Sequence, residues 1–158
     1  MADTAKQANT LQSLADRAEI TDLFAAYASC VDDKNFTAWQ ALFTDDGSYG
    51  NRPVPKPLMV EAGQRLLAPF VATHHMLGQH AITLNGDEAH GRCYFTAKHI
   101  RAADPAGPSD DVAGWYLVDY RRTAEGWRIV TVRGKIPWIT GDFGTHQKAV
   151  LDDLLGES

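Results

Sequence analysis

The stretch THHMLGQHAITLNGDEAHGRCYFTAKHI, residues 73–100, decides the fold because it predicts a central β-hairpin and contains five of the chain's six histidines. Asn85-Gly86-Asp87 predicts the tight turn of this hairpin, since Asn and Gly tolerate the positive φ angles that such a reversal needs. Residues of a strand alternate between the two faces of a sheet. Odd and even numbers therefore separate the histidines.

Alternation divides these histidines into two groups. His75 and His99 are odd-numbered, and the even-numbered group is His74, His80 and His90. The other odd-numbered residues of the second strand are small or apolar: Ala89, Gly91, Cys93, Phe95 and Ala97. We therefore expect His99 to face an interior. His75 lies on that face only if the numbers of two residues that lie opposite each other across the hairpin add up to an even value. Such pairing requires a loop of odd length or a β-bulge.

The composition predicts one globular domain spanning residues 1–158, with a formal charge of −5. The scattered charges form no basic stripe, which argues against a nucleic-acid partner. No apolar run approaches the roughly 20 residues of a membrane span, and the polar N-terminus does not resemble a signal peptide. Because Cys30 and Cys93 form no Cys-x-x-Cys motif, we expect free thiols and a location in the reducing cytoplasm.

Helices are predicted before the central hairpin. Residues 1–10 are expected to be frayed, and residues 13–16 resemble a capping box from which the first helix follows. The apolar side chains of that helix recur at helical spacing: Ile20, Leu23, Phe24, Tyr27 and Val31. Shorter helices are predicted around residues 36–43 and 59–67, with a short strand between them around residues 48–50.

A second hairpin and a final helix are predicted after the central hairpin. Residues 114–122 and 126–135 form the two strands of this hairpin. Alternation places four residues of its second strand on one face: Trp127, Ile129, Thr131 and Arg133. Residues 139–158 form an amphipathic tail helix, which would act as a lid on a pocket or as a subunit contact. Helices followed by paired strands predict an α+β fold, an antiparallel sheet with helices on one face.

Three segments together resemble a known family. They are LADRAEITDLFAAYASCVDDKNFTAWQALFTDDGSY (14–49), HHMLGQHAITLNGDEAHG (74–91) and DYRRTAEGWRIVTVRG (119–134). Over roughly residues 11–138 the chain resembles the SnoaL-like branch of the NTF2-like superfamily, closest in motif to scytalone dehydratase and bile-acid 7α-dehydratase. The resemblance implies a cone, a strongly curved sheet wrapped by N-terminal helices around a deep pocket. The superfamily contains dehydratases, isomerases, cyclases, a dehydrochlorinase and binding modules, so the fold does not fix the reaction.

The resemblance also implies the catalytic residues. Tyr27 and Asp32 match the family's Tyr-x4-Asp at the end of the first helix. His75 matches the strand histidine in its His-x-Leu/Ile-Gly context. His99 matches the second histidine of scytalone dehydratase, eight residues after a glycine. Tyr49 matches its pocket tyrosine after the second helix.

The substrate-binding residues and the assembly are implied in the same way. Arg133 is the candidate for the last-strand arginine of the bile-acid enzyme. Val31 departs from scytalone dehydratase, which has a second tyrosine there, so the two substrates need not be identical. An apolar lining that suits a ring-shaped substrate is expected from Phe24, Met76, Phe95 and Trp115. Related dehydratases form trimers, and the expected contact surface is the even-numbered face of the central hairpin: His74, His80, Arg92 and Tyr94.

The chemistry of an Asp32–His75 dyad suits proton transfer. A carboxylate on one imidazole nitrogen fixes the tautomer and stabilises the imidazolium, while the other nitrogen can remove a proton next to a carbonyl. Tyrosine hydroxyls can then donate to the enolate oxygen, and His99 could protonate or position a departing hydroxyl. The leading hypothesis is a cofactor-independent dehydratase acting on a small cyclic or polycyclic substrate. An isomerase or polyketide cyclase with the same dyad, and a non-catalytic binding module, remain open as alternatives.

Neither a metal nor a nucleotide cofactor is predicted. Simple alternation would place His75 and His80 on opposite faces of the strand, and no His-x-Glu or paired-cysteine spacing is present. The sequence also has no glycine-rich phosphate loop and no Gly-x-Ser-x-Gly nucleophile elbow.

Overall fold

A computed structural model describes residues 10–156, so most of the segment predicted to be frayed lies outside the described residues. The helices in this part of the chain are α1 (Leu11–Asp32), α2 (Phe36–Ala41), α3 (Met59–Leu67) and α4 (Phe143–Leu155). The strands are β1 (Phe43–Tyr49), β2 (Val54–Pro55), β3 (Phe70–Asn85), β4 (Glu88–Arg101), β5 (Asp110–Thr123) and β6 (Gly126–Ile139), and a 3₁₀ turn at Lys56–Leu58 precedes α3.

All six strands belong to one curved, unclosed sheet with the order β2-β1-β6-β5-β4-β3. Neighbouring strands pair antiparallel except β1 and β6, which run parallel, with Tyr49 opposite Val132. The helices wrap this sheet, and the predicted α+β cone with a curved, largely antiparallel sheet is confirmed. None of the helices within residues 10–156 is both long enough and apolar enough to cross a membrane.

A β-bulge in β3 decides which histidines face the interior. The turn itself has two residues, so the residue numbers of the pairs next to it, such as Leu84 with Ala89, add up to an odd value. The register shifts between Leu77 and His80, and beyond the bulge Thr73 lies opposite His99. The extra residue reverses the alternation, because a single inserted residue moves every later side chain to the other face. The condition that the sequence set for His75 is therefore met.

A second bulge, in β6, overturns one prediction. Tyr120 pairs with Ile129 but Asp119 pairs with Thr131, so Val130 is the inserted residue. As a consequence Ile129 is fully buried while Arg133 is exposed. The predicted shared face of Trp127, Ile129, Thr131 and Arg133 is wrong, because alternation does not continue through a bulge.

The first helix begins earlier than its predicted capping box. Thr10 is the N-cap, and its hydroxyl oxygen accepts a hydrogen bond from the Ser13 backbone N–H at 3.1 Å. Ile20, Phe24 and Tyr27 then form the buried stripe that the spacing predicted. The helix packs on β3 and ends at Asp32. The second helix stops at Ala41, because residues 43–49 pair with β6 as a strand instead.

Candidate active site

A cavity of about 270 Å³ lies between the inner face of the sheet and α4. A smaller space of about 50 Å³ adjoins it beneath the first three helices. Five residues line both spaces: Tyr49, His75, His99, Tyr116 and Phe143. The junction of the two spaces is therefore where polar side chains from four separate elements meet.

Asp32 and His75 form a hydrogen-bonded pair at this junction. The Nδ1–H of His75 donates to Oδ1 of Asp32 at 2.7 Å, and the backbone N–H of His75 donates to Oδ2 at 2.8 Å. The hydroxyl of Thr73 donates to Oδ1 at 2.9 Å. Because β3 is the edge strand, the carboxylate also satisfies a backbone N–H that lacks a strand partner. Nε2 of His75 has no protein partner within the described residues.

The electrostatics of Asp32 result from two opposed effects. Burial and the C-terminal end of α1 favour the neutral acid, and burial alone would raise the pKa of this carboxyl. The hydrogen bonds from the His75 side chain and backbone and from Thr73 outweigh that effect, so the pKa lies below its ordinary value. Asp32 is therefore ionised at neutral pH. An ionised carboxylate only accepts hydrogen bonds, which fixes the proton of neutral His75 on Nδ1.

His99 lies on the same inner face, with its ring edge-on to that of His75 at a centroid distance of 5.7 Å. Only 2% of its surface is exposed. Its Nδ1 lies 3.1 Å from the backbone carbonyl oxygen of Asp110, the first residue of β5. The two histidines that alternation selected thus lie next to each other, each held through Nδ1.

Three tyrosines add hydroxyl groups to the lining. Tyr27 and Tyr49, both named from the sequence, line the smaller space together with Tyr116. Burial, followed by the proximity of Tyr49, raises the pKa of Tyr27 and Tyr116 well above the usual value, and burial raises that of Tyr49. All three are therefore neutral hydroxyls that can donate a hydrogen bond.

The indole N–H of Trp39 is a fourth donor in the smaller space. It is buried without a well-formed hydrogen bond within the described residues. Its proximity to Tyr27 slightly opposes the rise in that tyrosine's pKa. The smaller space thus has hydrogen-bond donors from three tyrosines and a tryptophan.

Two of the predicted lining residues lie on the outer face of the sheet. Met76 is 61% exposed on the outer face of β3, because the neighbour of an inward-facing His75 must point outward. Trp115 pairs with Tyr94 across the outer face, where the guanidinium of Arg92 lies 4.5 Å from the Trp115 ring centroid. The Met76 prediction conflicted with the strand alternation that placed His75.

The other predicted lining residues have mixed outcomes. Phe95 lines the cavity and stacks on Tyr116 at a centroid distance of 4.0 Å. Phe24 is buried behind Tyr27 and does not line either space. Arg133 is exposed and forms an ion pair with Asp119 at 3.1 Å, because the β6 bulge turns it outward.

His80 also differs from its prediction. The β3 bulge turns it inward, where its Nε2 lies 3.1 Å from the Tyr120 hydroxyl oxygen. It therefore does not share an outer contact surface with His74, Arg92 and Tyr94, and the argument that put it opposite His75 is wrong. Within residues 10–156, no three His, Cys, Asp or Glu side chains are grouped closely enough to hold a metal ion.

Sequence reasoning missed Tyr116, and it left open whether the tail helix covers the pocket. The sequence carries only a weak signal for Tyr116, because polar residues alternate with Val118 and Tyr120 at the end of β5 but Tyr116 itself lies between the apolar Trp115 and Leu117. Helix α4, part of the predicted tail, covers the cavity. Five of its residues line it: Phe143, Gly144, Gln147, Lys148 and Leu151.

Several hydrogen bonds hold α4 in place. The backbone N–H of Asp142 donates to Asp110 at 3.2 Å, and the guanidinium of Arg52 pairs with Asp152 at 2.5 Å. His146 bonds through Nε2 to the carbonyl oxygen of Arg65 at the end of α3. Through these contacts α4 covers the cavity, which is the first of the two roles expected for the tail helix.

Residues 12–133 match the SnoaL-like domain family. The uncharacterized protein Rv2910c of Mycobacterium tuberculosis is 28% identical over 127 residues, covering 77% of this chain and 85% of that protein. The Kfla4162 protein of Kribbella flavida is 28% identical, with a TM-score of 0.77 over 86% of this chain and 99% of its own. A Novosphingobium aromaticivorans protein, provisionally named an aromatic ring hydroxylase, is 26% identical, with a TM-score of 0.73 over 84% and 97%.

More distant structures share the fold alone. One is provisionally named a scytalone dehydratase, from N. aromaticivorans, at 17% identity and a TM-score of 0.74 over 81% of this chain and 88% of that one. Another is the hexachlorocyclohexane dehydrochlorinase LinA-type3 of Novosphingobium barchaimii, at 17% identity and a TM-score of 0.72 over 82% and 92%.

Proposed function

This chain belongs to the SnoaL-like domain family, and on that premise we propose that it is a cofactor-independent dehydratase of small cyclic substrates. The observation that carries the proposal is the Asp32–His75 pair, whose free imidazole nitrogen lies in a cavity lined by neutral tyrosines. In this proposal the enzyme removes a proton next to a carbonyl and expels a β-hydroxyl group as water. It is a carbon–oxygen lyase.

His75 is the general base of the proposed reaction. Its Nε2 takes the proton from the carbon next to the carbonyl, and the C–H electron pair moves toward the carbonyl oxygen to give an enolate. Asp32 keeps the other proton on Nδ1 and stabilises the imidazolium that forms. The charge of Asp32 is available because its pKa is lowered.

The tyrosine hydroxyls stabilise the enolate. Tyr27, Tyr49 and Tyr116 are donors without a charge, and a donor fixed in a buried site acts on a forming oxyanion more strongly than a donor in water. The unpaired indole N–H of Trp39 adds to the donor set of the smaller space. We therefore propose that the substrate carbonyl enters this smaller space.

Departure of the hydroxyl completes the proposed reaction. The enolate electrons form the C=C bond, the C–O bond breaks with its electron pair on oxygen, and the His75 imidazolium returns its proton to that oxygen. One molecule of water leaves and the base is regenerated. The neighbours named for scytalone dehydration and for dehydrochlorination support an elimination, since both names describe loss of a small group next to a C–H bond.

Turnover of cyclic β-hydroxy ketones tests the proposal. The simplest is 3-hydroxycyclohexanone, whose dehydration to cyclohex-2-enone is followed by ultraviolet absorbance, and larger rings up to the cavity volume extend the panel. Wild type should exceed the buffer rate on at least one member, and His75→Ala should not. Arg133→Gln is the matched surface control.

The alternatives predict other outcomes of this experiment. An isomerase or cyclase would exchange the proton next to the carbonyl with deuterium from D₂O and lose no water. A binding module would do neither, and the absence of both reactions across the panel would contradict an enzyme.

The proposal extends to partners and location. We propose a homotrimer formed through the outer face of the sheet, which exposes Met76, Tyr94 and Trp138 by 44–61%. A monomer by light scattering at micromolar concentration would contradict it. We also propose a cytoplasmic location, supported by the free thiols Cys30 and Cys93.

A further inference from the structure

His99 contacts a group that can only accept hydrogen bonds. The atom facing its Nδ1 is the backbone carbonyl oxygen of Asp110, at 3.1 Å. Nδ1 must therefore carry the hydrogen, because a carbonyl has none to donate. In the neutral ring Nε2 is then an unprotonated acceptor, and it has no protein partner within residues 10–156.

The surroundings of His99 disfavour the imidazolium. Its ring stacks on Phe143 at a centroid distance of 4.4 Å and contacts Phe70 at 5.1 Å. Burial, followed by the proximity of His75, lowers the pKa of His99 to about 4, although Asp110 and Asp32 oppose the shift. The ring is thus neutral at physiological pH.

The charged groups near His99 do not restore its proton. The Asp110 carboxylate is engaged by Arg101, at 3.1 Å from Nε and 2.5 Å from a terminal nitrogen. It also accepts from the Asp142 backbone N–H. The negative charge of Asp110 is therefore largely compensated by its own partners.

We propose that His99 is a specificity-determining hydrogen-bond acceptor, which selects substrates whose leaving group is a hydroxyl rather than a halide. This inference rests on the proposed elimination and assigns His99 a role different from a proton donor. A β-hydroxyl donates its O–H to Nε2 of His99. A halide has only lone pairs to present to the lone pair of that nitrogen, and the contact is repulsive.

The same contact orients the leaving oxygen. When its O–H points to His99, its lone pairs point elsewhere, including toward the His75 imidazolium that returns the proton. His99 supplies no proton itself, because its one N–H is held by the Asp110 carbonyl. The departing water carries its own hydrogen and the one from His75, so the atoms balance.

A substrate pair tests the selection. 3-Hydroxycyclohexanone and 3-chlorocyclohexanone lose water and HCl respectively and give the same product, cyclohex-2-enone. Rates are expressed as kcat/KM relative to the uncatalysed rate of each compound. We expect His99→Leu to lower the hydroxy value by about tenfold, the size of one neutral hydrogen bond, and to leave the chloro value unchanged or higher, because the repulsive contact is removed.

Two further variants sharpen the result. His99→Asn can still accept through its amide oxygen and should recover part of the preference, whereas Arg133→Gln, on the outer face, should not change it. Equal losses on both substrates in His99→Leu would overturn the selection, because they would indicate a general structural role.

A binding measurement separates this inference from the dehydratase proposal. In ¹⁵N-labelled wild type, the imidazole nitrogens of His99 report which of them carries hydrogen, and His99→Asn assigns the signals. We expect Nε2 to be unprotonated until the pH approaches about 4. Saturating cyclohexanol should shift the Nε2 signal, and chlorocyclohexane should not. Equal responses to the two ligands, or a proton on Nε2 at neutral pH, would overturn the inference even if dehydration is observed.

Discussion

Two aspartates of one helix, Asp16 and Asp32, anchor opposite ends of the central hairpin in different ways. The Asp16 carboxylate accepts two bonds from Arg122 at 2.8 and 2.7 Å and one from the indole of Trp127 at 3.1 Å. Arg122 also binds Asp87 beside the β3–β4 turn. Asp32, one helix length away, accepts its bonds from Thr73 and His75.

The two aspartates differ in whether their hydrogen-bond donors can transfer a proton. Arg122 and Trp127 only donate, and the amide nitrogen of Gln12, a further donor to Asp16, does not titrate either, so none of the donors to Asp16 can pass on a proton. His75 has a second nitrogen, which lies in a cavity with no protein partner within the described residues. Both carboxyls have a lowered pKa, Asp16 through Arg122 first of all and Asp32 against its own burial. A carboxylate with a shifted pKa therefore indicates a catalytic site only when its hydrogen-bond partner can also transfer a proton.

The largest expected effect is on activity at the Asp32 end. His75→Ala removes the base and should lower kcat by about 10²- to 10⁴-fold. Asp32→Asn should lower kcat strongly with a smaller change in KM, because it removes the charge that stabilises imidazolium. Steady-state kinetics of the single and double variants measures this. Losses that add fully in the double variant would contradict a working pair.

The next effect is on stability at the Asp16 end. Asp16→Asn removes one of the two counter-charges of the partly buried Arg122 guanidinium, since Asp87 remains, and should reduce the free energy of unfolding by about 2 kcal/mol. The folded fraction should keep the wild-type kcat. Urea unfolding monitored by tryptophan fluorescence measures the first quantity, and Asp32→Asn is the matched comparison. A similar stability loss in both variants would remove the distinction between the two ends.

Lowering the pH should reduce the free energy of unfolding first through His99, near Asp32, and only at more acidic pH through the aspartates. The pKa of His99 is near 6.5 in the unfolded chain and about 4 in the folded protein. Between these two values the unfolded state binds a proton at His99 and the folded state does not, so lowering the pH favours unfolding. This linkage should cost about 2 kcal/mol between pH 7 and pH 5. The aspartates contribute only at lower pH, since their folded pKa values are lowered. Unfolding of His99→Gln over the same range should show a flatter pH dependence.

The smallest expected effect is at Arg133. Its side chain is 53% exposed in the ion pair with Asp119, and exposed pairs contribute about 0–1 kcal/mol. Arg133→Gln should change kcat/KM by less than about twofold. A tenfold loss would mean that this arginine reaches the substrate and that its outward position is wrong.

Much of this site could be predicted because alternation and turn chemistry are local. The Asn-Gly turn, the inward row of β4 and the odd-numbered His75 and His99 all follow from residues within one hairpin. Even the need for a bulge followed from counting. Its position was not predicted, although Gly78 lies between Leu77 and His80, and an isolated glycine within a strand is a local signal for a bulge.

Two of the failures have the same origin, an unpredicted bulge. Arg133 was misplaced by a bulge at Val130, and His80 by the bulge in β3. Trp115 was assigned to the pocket for its size, although its alternation pointed outward. The position of α4 over the cavity depends on contacts such as Arg52 with Asp152, which are 100 residues apart in the sequence.

The parallel pairing of β1 with β6 sets an order for folding during synthesis. Asp32, His75 and His99 all lie within the first 101 residues. The part of the cavity wall that these residues form can therefore fold while the rest of the chain is still being synthesised. Tyr49 pairs with Val132, and its strand has only the two-residue β2 as a partner until β6 emerges. Contacts this distant in sequence are slow to form. We therefore expect nascent chains to protect the β3–β4 hairpin early and to gain a closed cavity only at the end of translation.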